Sequence, residues 1–180
     1  SVCLVAELPP PAGGMAVQAE LLGRELRDQG HALRNVRTNA LPHESAIRRI
    51  PGLRGLVNWV LYLPWLLVSI PRCRIVHIFS NSGLSFFLFS VPAIVLGRLF
   101  GKRVVVHYHG GAAPEFLARS ASVVLPFMRL AQVIIVPSPF LGRVFDRYGL
   151  ATVEIANIVA AAAPRERPAA TLAPHLLTAR

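Results

Sequence analysis

The chain has a single lysine, Lys102, among nineteen basic residues, and it has only nine acidic ones, so its formal charge of +10 is almost entirely arginine. So few carboxylates leave little material for a paired-carboxylate catalyst. No G-x-S-x-G elbow is present, which leaves a Ser-His-Asp hydrolase unspecified. The two cysteines, Cys3 and Cys73, have neither C-x-x-C nor metal-ligand spacing, and free, packed thiols are expected. Charged residues make up 16% of the chain against roughly 25% in an average soluble domain, while 53% is hydrophobic. Much of the chain must therefore be buried or lie against something apolar.

Other signals are missing as well. The arginines do not cluster with aromatic residues in any reader motif, so nucleic acid is not an expected partner, and an anionic phosphate substrate or a negatively charged membrane surface fits the charge better. No charged stretch precedes an apolar one at the start of the sequence, which argues against a signal peptide and for a cytoplasmic location. The apolar runs Leu56 to Ile70 and Leu84 to Leu96 fall short of the roughly 20 residues of a membrane span, and Pro64 interrupts the first. A dinucleotide fingerprint would need G-x-G-x-x-G after the first strand, and Gly13-Gly14-Met15-Ala16-Val17-Gln18 does not match it. The run Gly97 to Lys102 is one residue too short for a P-loop, lacks the following Ser or Thr, and leads from helix into strand.

What is present is an alternation of strand and helix. An apolar run from Val2 to Leu8 is broken by Pro9, Pro10 and Pro11, which cannot continue a ladder, and by Gly13 and Gly14, where the backbone turns into a helix. Met15, Ala19, Leu22 and Leu26 recur at helical spacing, with Glu20, Arg24, Arg27 and Asp28 opposite and Gly30 as a stop. A tight strand-to-helix turn explains the two glycines as well as a ligand does.

His31 to Thr38 reads as an edge strand, and residues 39 to 54 as a loop broken by Pro42, Pro51 and Gly52. Arg74 to Ser80 reads as a buried strand, and Asn81 to Phe100 as a helix capped by Ser82 and ended by Gly101. Val104 to His109 is the next strand, Glu115 to Leu130 a helix with a break near Pro126, and Val133 to Pro137 a further strand. Ser138 and Pro139 stand as N-cap and first residue of a helix reaching Gly149, and Thr152 to Ile155 is a last short strand. This alternation predicts an α/β domain, a Rossmann-like doubly wound parallel sheet with helices on both faces. The domain is expected over residues 1 to 158, followed over 159 to 180 by an alanine and proline linker and the opening of a further strand, so the chain reads as a fragment.

The histidines are the chemically active residues left to place. His77, mid-strand among apolar neighbours, reads as a core residue, while His107 and His109 alternate with Tyr108 and share one face. No third metal ligand stands at useful spacing. His109 differs because it ends its strand before Gly110 and Gly111, where open parallel sheets place ligands. Glu115 reads as a helix-start residue favoured by the dipole.

In order and spacing, the strand, PPPAGGMAVQAELLGRELRDQGHAL, RIVHIFS, VVVHYHGG, VIIVPSPFLGRVFDRYGL and VEIAN resemble the N-terminal domain of family 4 glycosyltransferases, one half of a GT-B fold, over roughly residues 2 to 158. The resemblance implies a two-domain enzyme moving a sugar from a nucleotide-sugar donor to a glycan or lipid-linked acceptor, with retention and without a metal or other cofactor. It implies that Gly13 and Gly14 form a loop facing the interdomain cleft near the donor phosphates, that His109 is catalytic, and that Gly110 and Ser138 line the cleft. Phe79 stands where the family often has a second histidine, and Asn157-Ile158-Val159-Ala160 replaces its N-G-V-D turn. The donor-binding half has no counterpart here, so the fragment alone is expected to be inactive. The competing expectation is a non-catalytic, membrane-associated or ligand-binding Rossmann-like module.

Membrane contact is expected through residues 48 to 74. Arg48, Arg49, Arg54, Arg72 and Arg74 bracket an apolar segment in which Trp59, Tyr62 and Trp65 fall three apart, so a helix would gather the aromatics toward one side, against an anionic surface.

Overall fold

The computed structural model describes residues 1–41, 45 and 53–158. Six strands form one parallel sheet in the order β2-β1-β3-β4-β5-β6. They are β1 (Val2–Ala6), β2 (Leu33–Arg37), β3 (Ile75–Ser80), β4 (Arg103–Tyr108), β5 (Val133–Val136) and β6 (Val153–Glu154). The all-apolar β1 is buried at every position because it is covered on both faces, whereas LRNVR in β2 buries only Val36, as suits an edge. The expected α/β fold and its parallel sheet are present.

The helices are unevenly divided between the faces. Helix α1 (Gly14–Asp28) covers one face, where Leu4, Ala6, Ala19 and Phe79 form a small apolar cluster. Its buried line is Ala16, Ala19 and Gly23, which lets the helix approach β1 closely, and Met15 and Leu22 pack at the flanks. The other face carries α2 (Leu53–Ser69), α3 (Val91–Leu99), α4 (Ala113–Met128) and α5 (Pro139–Asp146), and holds the larger core around Tyr62, Phe86, Tyr108 and Phe145. Among the described residues no helix covers β4 to β6 on the α1 face. Instead the chain leaving β6 crosses toward α1, where Gln18 donates to the Ile158 carbonyl at 2.8 Å and accepts from its amide at 2.7 Å.

Several boundaries differ from the sequence reading, each for a local reason. Helix α2 runs through Pro64 and continues as a 3₁₀ turn, Ile70–Arg72, so Leu53–Arg72 is a helical stretch of 20 residues, long and apolar enough to cross a membrane. Pro64 lies on the exposed side, and the opposite side, Tyr62, Leu66 and Ile70, is fully buried in the core. The helix is thus committed along one side to the sheet. Ser82 does not cap the following helix, because its hydroxyl meets that of Tyr108 at 2.7 Å. That helix begins near Leu84, passes through a π segment, Phe86–Ser90, and ends at Gly101 with φ of +65°. Helix α4 starts at Ala113 and is unbroken at Pro126, which falls in its last turn. The expected loop at residues 42–44 and 46–52, and the linker and strand opening at 159–180, lie outside the described residues. Cys3 and Cys73 are free and buried, as expected.

Candidate functional site

The order β2-β1-β3 places the topological switch point between β1 and β3, and open α/β sheets leave their ligand crevice at the carboxyl ends of the strands there. The exit of β1 is held by the exit of β2. Asn39 accepts from the Leu8 amide at 3.1 Å and donates to the Leu8 carbonyl at 2.8 Å, while Arg37 donates to the carbonyls of Leu8 and Pro9 at 2.9 and 2.8 Å. These two side chains fix the proline turn that delivers Gly13 and Gly14. Gly13 is the N-cap of α1 in an extended conformation, so the helix starts with no side-chain cap. Both glycines are exposed, and a Cβ at either would meet open space. The first turn of α1 therefore presents bare backbone at the crevice, where the N-terminal amides carry partial positive charge.

On the other side of the crevice, the β3 and β4 exits lock together. His109 donates its amide to the Ser80 carbonyl at 2.9 Å, and Ser80 and Ser90 share a buried hydroxyl contact at 2.9 Å. Gly110 is buried, and a Cβ there would collide with Ser82, lying 2.8 Å from its backbone nitrogen and closer still to its Oγ. Only glycine lets the β4 exit pass this tightly. Ser138 is the N-cap of α5, accepting from the Leu141 amide at 3.4 Å with Pro139 first in the helix, and this local role accounts for it.

The histidines gather on the α1 face, under the part of the sheet that no described helix covers. His77 Nε2 lies 3.4 Å from His107 Nδ1, the rings of His107 and His109 are 4.3 Å apart, and Phe79 stacks on His109 at 5.0 Å with 9° between planes. The Nε2 atoms of His107 and His109 are buried without a hydrogen-bond partner. Burial pushes His109 down to about 4. Burial, then the neighbouring His109 and His77, push His107 down to about 3. Burial, then His109, pushes His77 down to about 4. All three are neutral near pH 7, so His109 can offer a hydrogen bond but no positive charge. His77 is thus one end of a histidine row. No grouping of His, Cys, Asp and Glu among the described residues is arranged to hold a metal.

Two cavities meet at Phe79. One, of about 100 Å³, is lined by Glu7, Met15, Thr38, Phe79, Asn81 and Ser85, among others, at the switch point. The second, of about 120 Å³, is lined by Gln18, His77, Phe79, His107, Ile135 and Ile158, among others, beside α1. Two further residues at the crevice are not marked by any motif: Glu7, a carboxylate at the mouth of β1, and Asn39, the clamp on the turn. A carboxylate directly after a buried strand was the available signal for Glu7. Glu115, in contrast, is an exposed first-turn residue of α4.

A parallel α/β sheet with a bare helix start and a histidine at the carboxyl ends of its central strands defines the class: a Rossmann-like domain, consistent with one half of a GT-B fold. The family model for Glycosyltransferase Family 4 matches residues 12–159, from the glycine turn to the segment beyond β6, and the chain belongs to that family. Comparison with curated proteins gave no match. The domain is accordingly of glycosyltransferase type, serving a sugar donor and an acceptor.

Proposed function

We propose that the chain is the acceptor-side half of a retaining hexosyltransferase that moves a sugar from a nucleotide-sugar donor to a glycan or lipid-linked acceptor. The observation that carries the reading is the juxtaposition at Phe79: one side borders the first turn of α1 through Met15, and the other stacks on His109, whose Nε2 is buried and unpartnered. A neutral imidazole at the carboxyl end of β4 can hydrogen-bond a sugar hydroxyl only where its half-buried ring opens to the crevice, its Nε2 being covered in the chain alone. The bare start of α1 admits an anionic group close to the backbone. Donor-phosphate binding belongs, in this reading, to a second domain that closes over the crevice.

The test uses the enzyme carrying both halves and a panel of nucleotide sugars. His109→Phe keeps the ring stacked on Phe79 but removes its nitrogens, and is expected to lower turnover about tenfold or more, the equivalent of one lost hydrogen bond, with the melting temperature unchanged. Gly14→Val fills the open space in front of α1 and is expected to lower transfer by blocking close approach. Full activity in both variants would remove His109 and the glycine turn from the reaction and leave them a purely structural role.

A further inference from the structure

Helix α2 buries one side in the core and leaves the other bare. Leu56, Val60, Leu61, Trp65, Leu67 and Val68 are exposed, Val60 at 55% and Trp65 at 64%. Trp59, Tyr62 and Trp65, expected on one side from their spacing, are separated: Tyr62 is fully buried with its hydroxyl donating to the Phe89 carbonyl, Trp59 packs on the core, and of the three only Trp65 faces outward. Arg48 and Arg49 lie outside the described residues.

The stretch of chain that carries this face has charges of one sign. No Asp or Glu stands anywhere from Leu53 to Arg103, while Arg54, Arg72, Arg74, Arg98, Lys102 and Arg103 do. Arg54 is at the start of α2, and Arg72 and Arg74 are exposed past its end. Lys102 joins that end, because its Nζ donates to the Pro71 carbonyl at 2.9 Å. A cleft of about 290 Å³, lined by Asn35, Arg37, Ala40 and Trp65, opens beside the outward tryptophan.

We propose that the exposed side of α2 is a membrane-docking surface that lies flat on an anionic bilayer, with Trp65 and its apolar neighbours at the headgroup boundary and the arginines on the lipid phosphates. An interfacial helix needs this combination of an apolar stripe, an aromatic anchor and basic ends. A second copy of the chain is the competing occupant, and the charge argues against it: a two-fold contact through α2 sets cations of one copy near cations of the other with no carboxylate on the stretch to offset them. A spanning helix is also disfavoured, since Tyr62, Leu66 and Ile70 are occupied by the sheet. The anionic leaflet facing the cytoplasm is the matching surface. Because α2 precedes β3 in a parallel sheet, its N-terminal end lies at the crevice edge, so a docked helix sets the crevice beside the bilayer.

The docking is independent of sugar transfer and is tested without it. The 180-residue chain is sedimented at low salt with vesicles of phosphatidylcholine alone or of phosphatidylcholine and phosphatidylglycerol in equal parts. Recovery with the anionic vesicles is expected to exceed that with neutral ones about tenfold and to fall as salt is added. Val60→Ser combined with Trp65→Ser changes only exposed positions, so its melting should match the parent, and its partitioning is expected to drop about tenfold. Equal recovery with both vesicles, partitioning unchanged in the double variant, or a concentration-dependent dimer abolished by it would each overturn the proposal.

Discussion

At the scale of single residues, the row of His77, His107 and His109 ties the acid behaviour of the fold to its candidate site. In the unfolded chain an imidazole takes a proton near pH 6.5, whereas burial holds these three to about 4, 3 and 4. Between those values the unfolded state binds more protons, so stability is expected to be level above about pH 7 and to fall as pH drops through 6.5 toward 4. Each histidine contributes a slope of at most about 1.4 kcal/mol per pH unit, and less where the ring is partly exposed. The interval from about pH 6.5 to 5 isolates this effect, since carboxylates titrate mostly below it. Urea midpoints measured across the interval should decline, and His107→Phe should flatten the decline. Midpoints that stay constant to pH 5 would mean the rings are protonated in the native state. The placement of His107 and His109 on one face was legible from strand alternation alone. The inclusion of His77 was not, because it depends on the β3 and β4 register that pairs His77 with Val105 and Phe79 with His107.

At the scale of elements, local chemistry was readable where neighbours in sequence are also neighbours in space. Ser138 and Pro139 start α5 as their capping and dihedral preferences require, and the alternation of strand and helix gave the parallel sheet. Pro64 and Pro126 misled because a proline at a helix surface or in a last turn is tolerated when the rest of the helix is fixed by tertiary packing, which no local rule contains. Ser82 misled for the same reason, its hydroxyl being claimed by Tyr108, 26 positions away. Gln18 is the long-range contact with the clearest consequence. Its amide makes a two-way bond with Ile158 across 140 positions, and so ties the chain leaving β6 to the helix that borders the crevice. Gln18→Ala is expected to cost about 1 kcal/mol or less, as these bonds are exposed, yet to release the segment locally. Amide exchange at Ile158 should then accelerate while that of β4 stays slow. Equal acceleration in both would mean that the clip supports the whole fold.

At the scale of the molecule, the question is how much of a nucleotide-sugar site these residues supply. A diphosphate donor brings concentrated negative charge, and the two cavities that meet at Phe79 offer little to oppose it. Their linings contain no lysine or arginine, and the first contains the carboxylate of Glu7. His109 is neutral, and Arg37 is engaged by the carbonyls of Leu8 and Pro9. That leaves the bare start of α1, a partial charge open to solvent, where an anion gains roughly 0.3–1 kcal/mol. The chain's many arginines do not change this, because Arg72, Arg74, Arg98 and Arg103 lie toward the amino-terminal edge of the sheet, and Arg54, exposed at the start of α2, lines neither cavity. The 180-residue chain is therefore expected to bind nucleotide diphosphate sugars no more tightly than about 1 mM, near −4 kcal/mol, and to transfer no sugar. Calorimetry across a donor panel measures this directly. Micromolar binding by the chain alone would place the phosphate-holding groups within these residues and would overturn the division of labour between two halves.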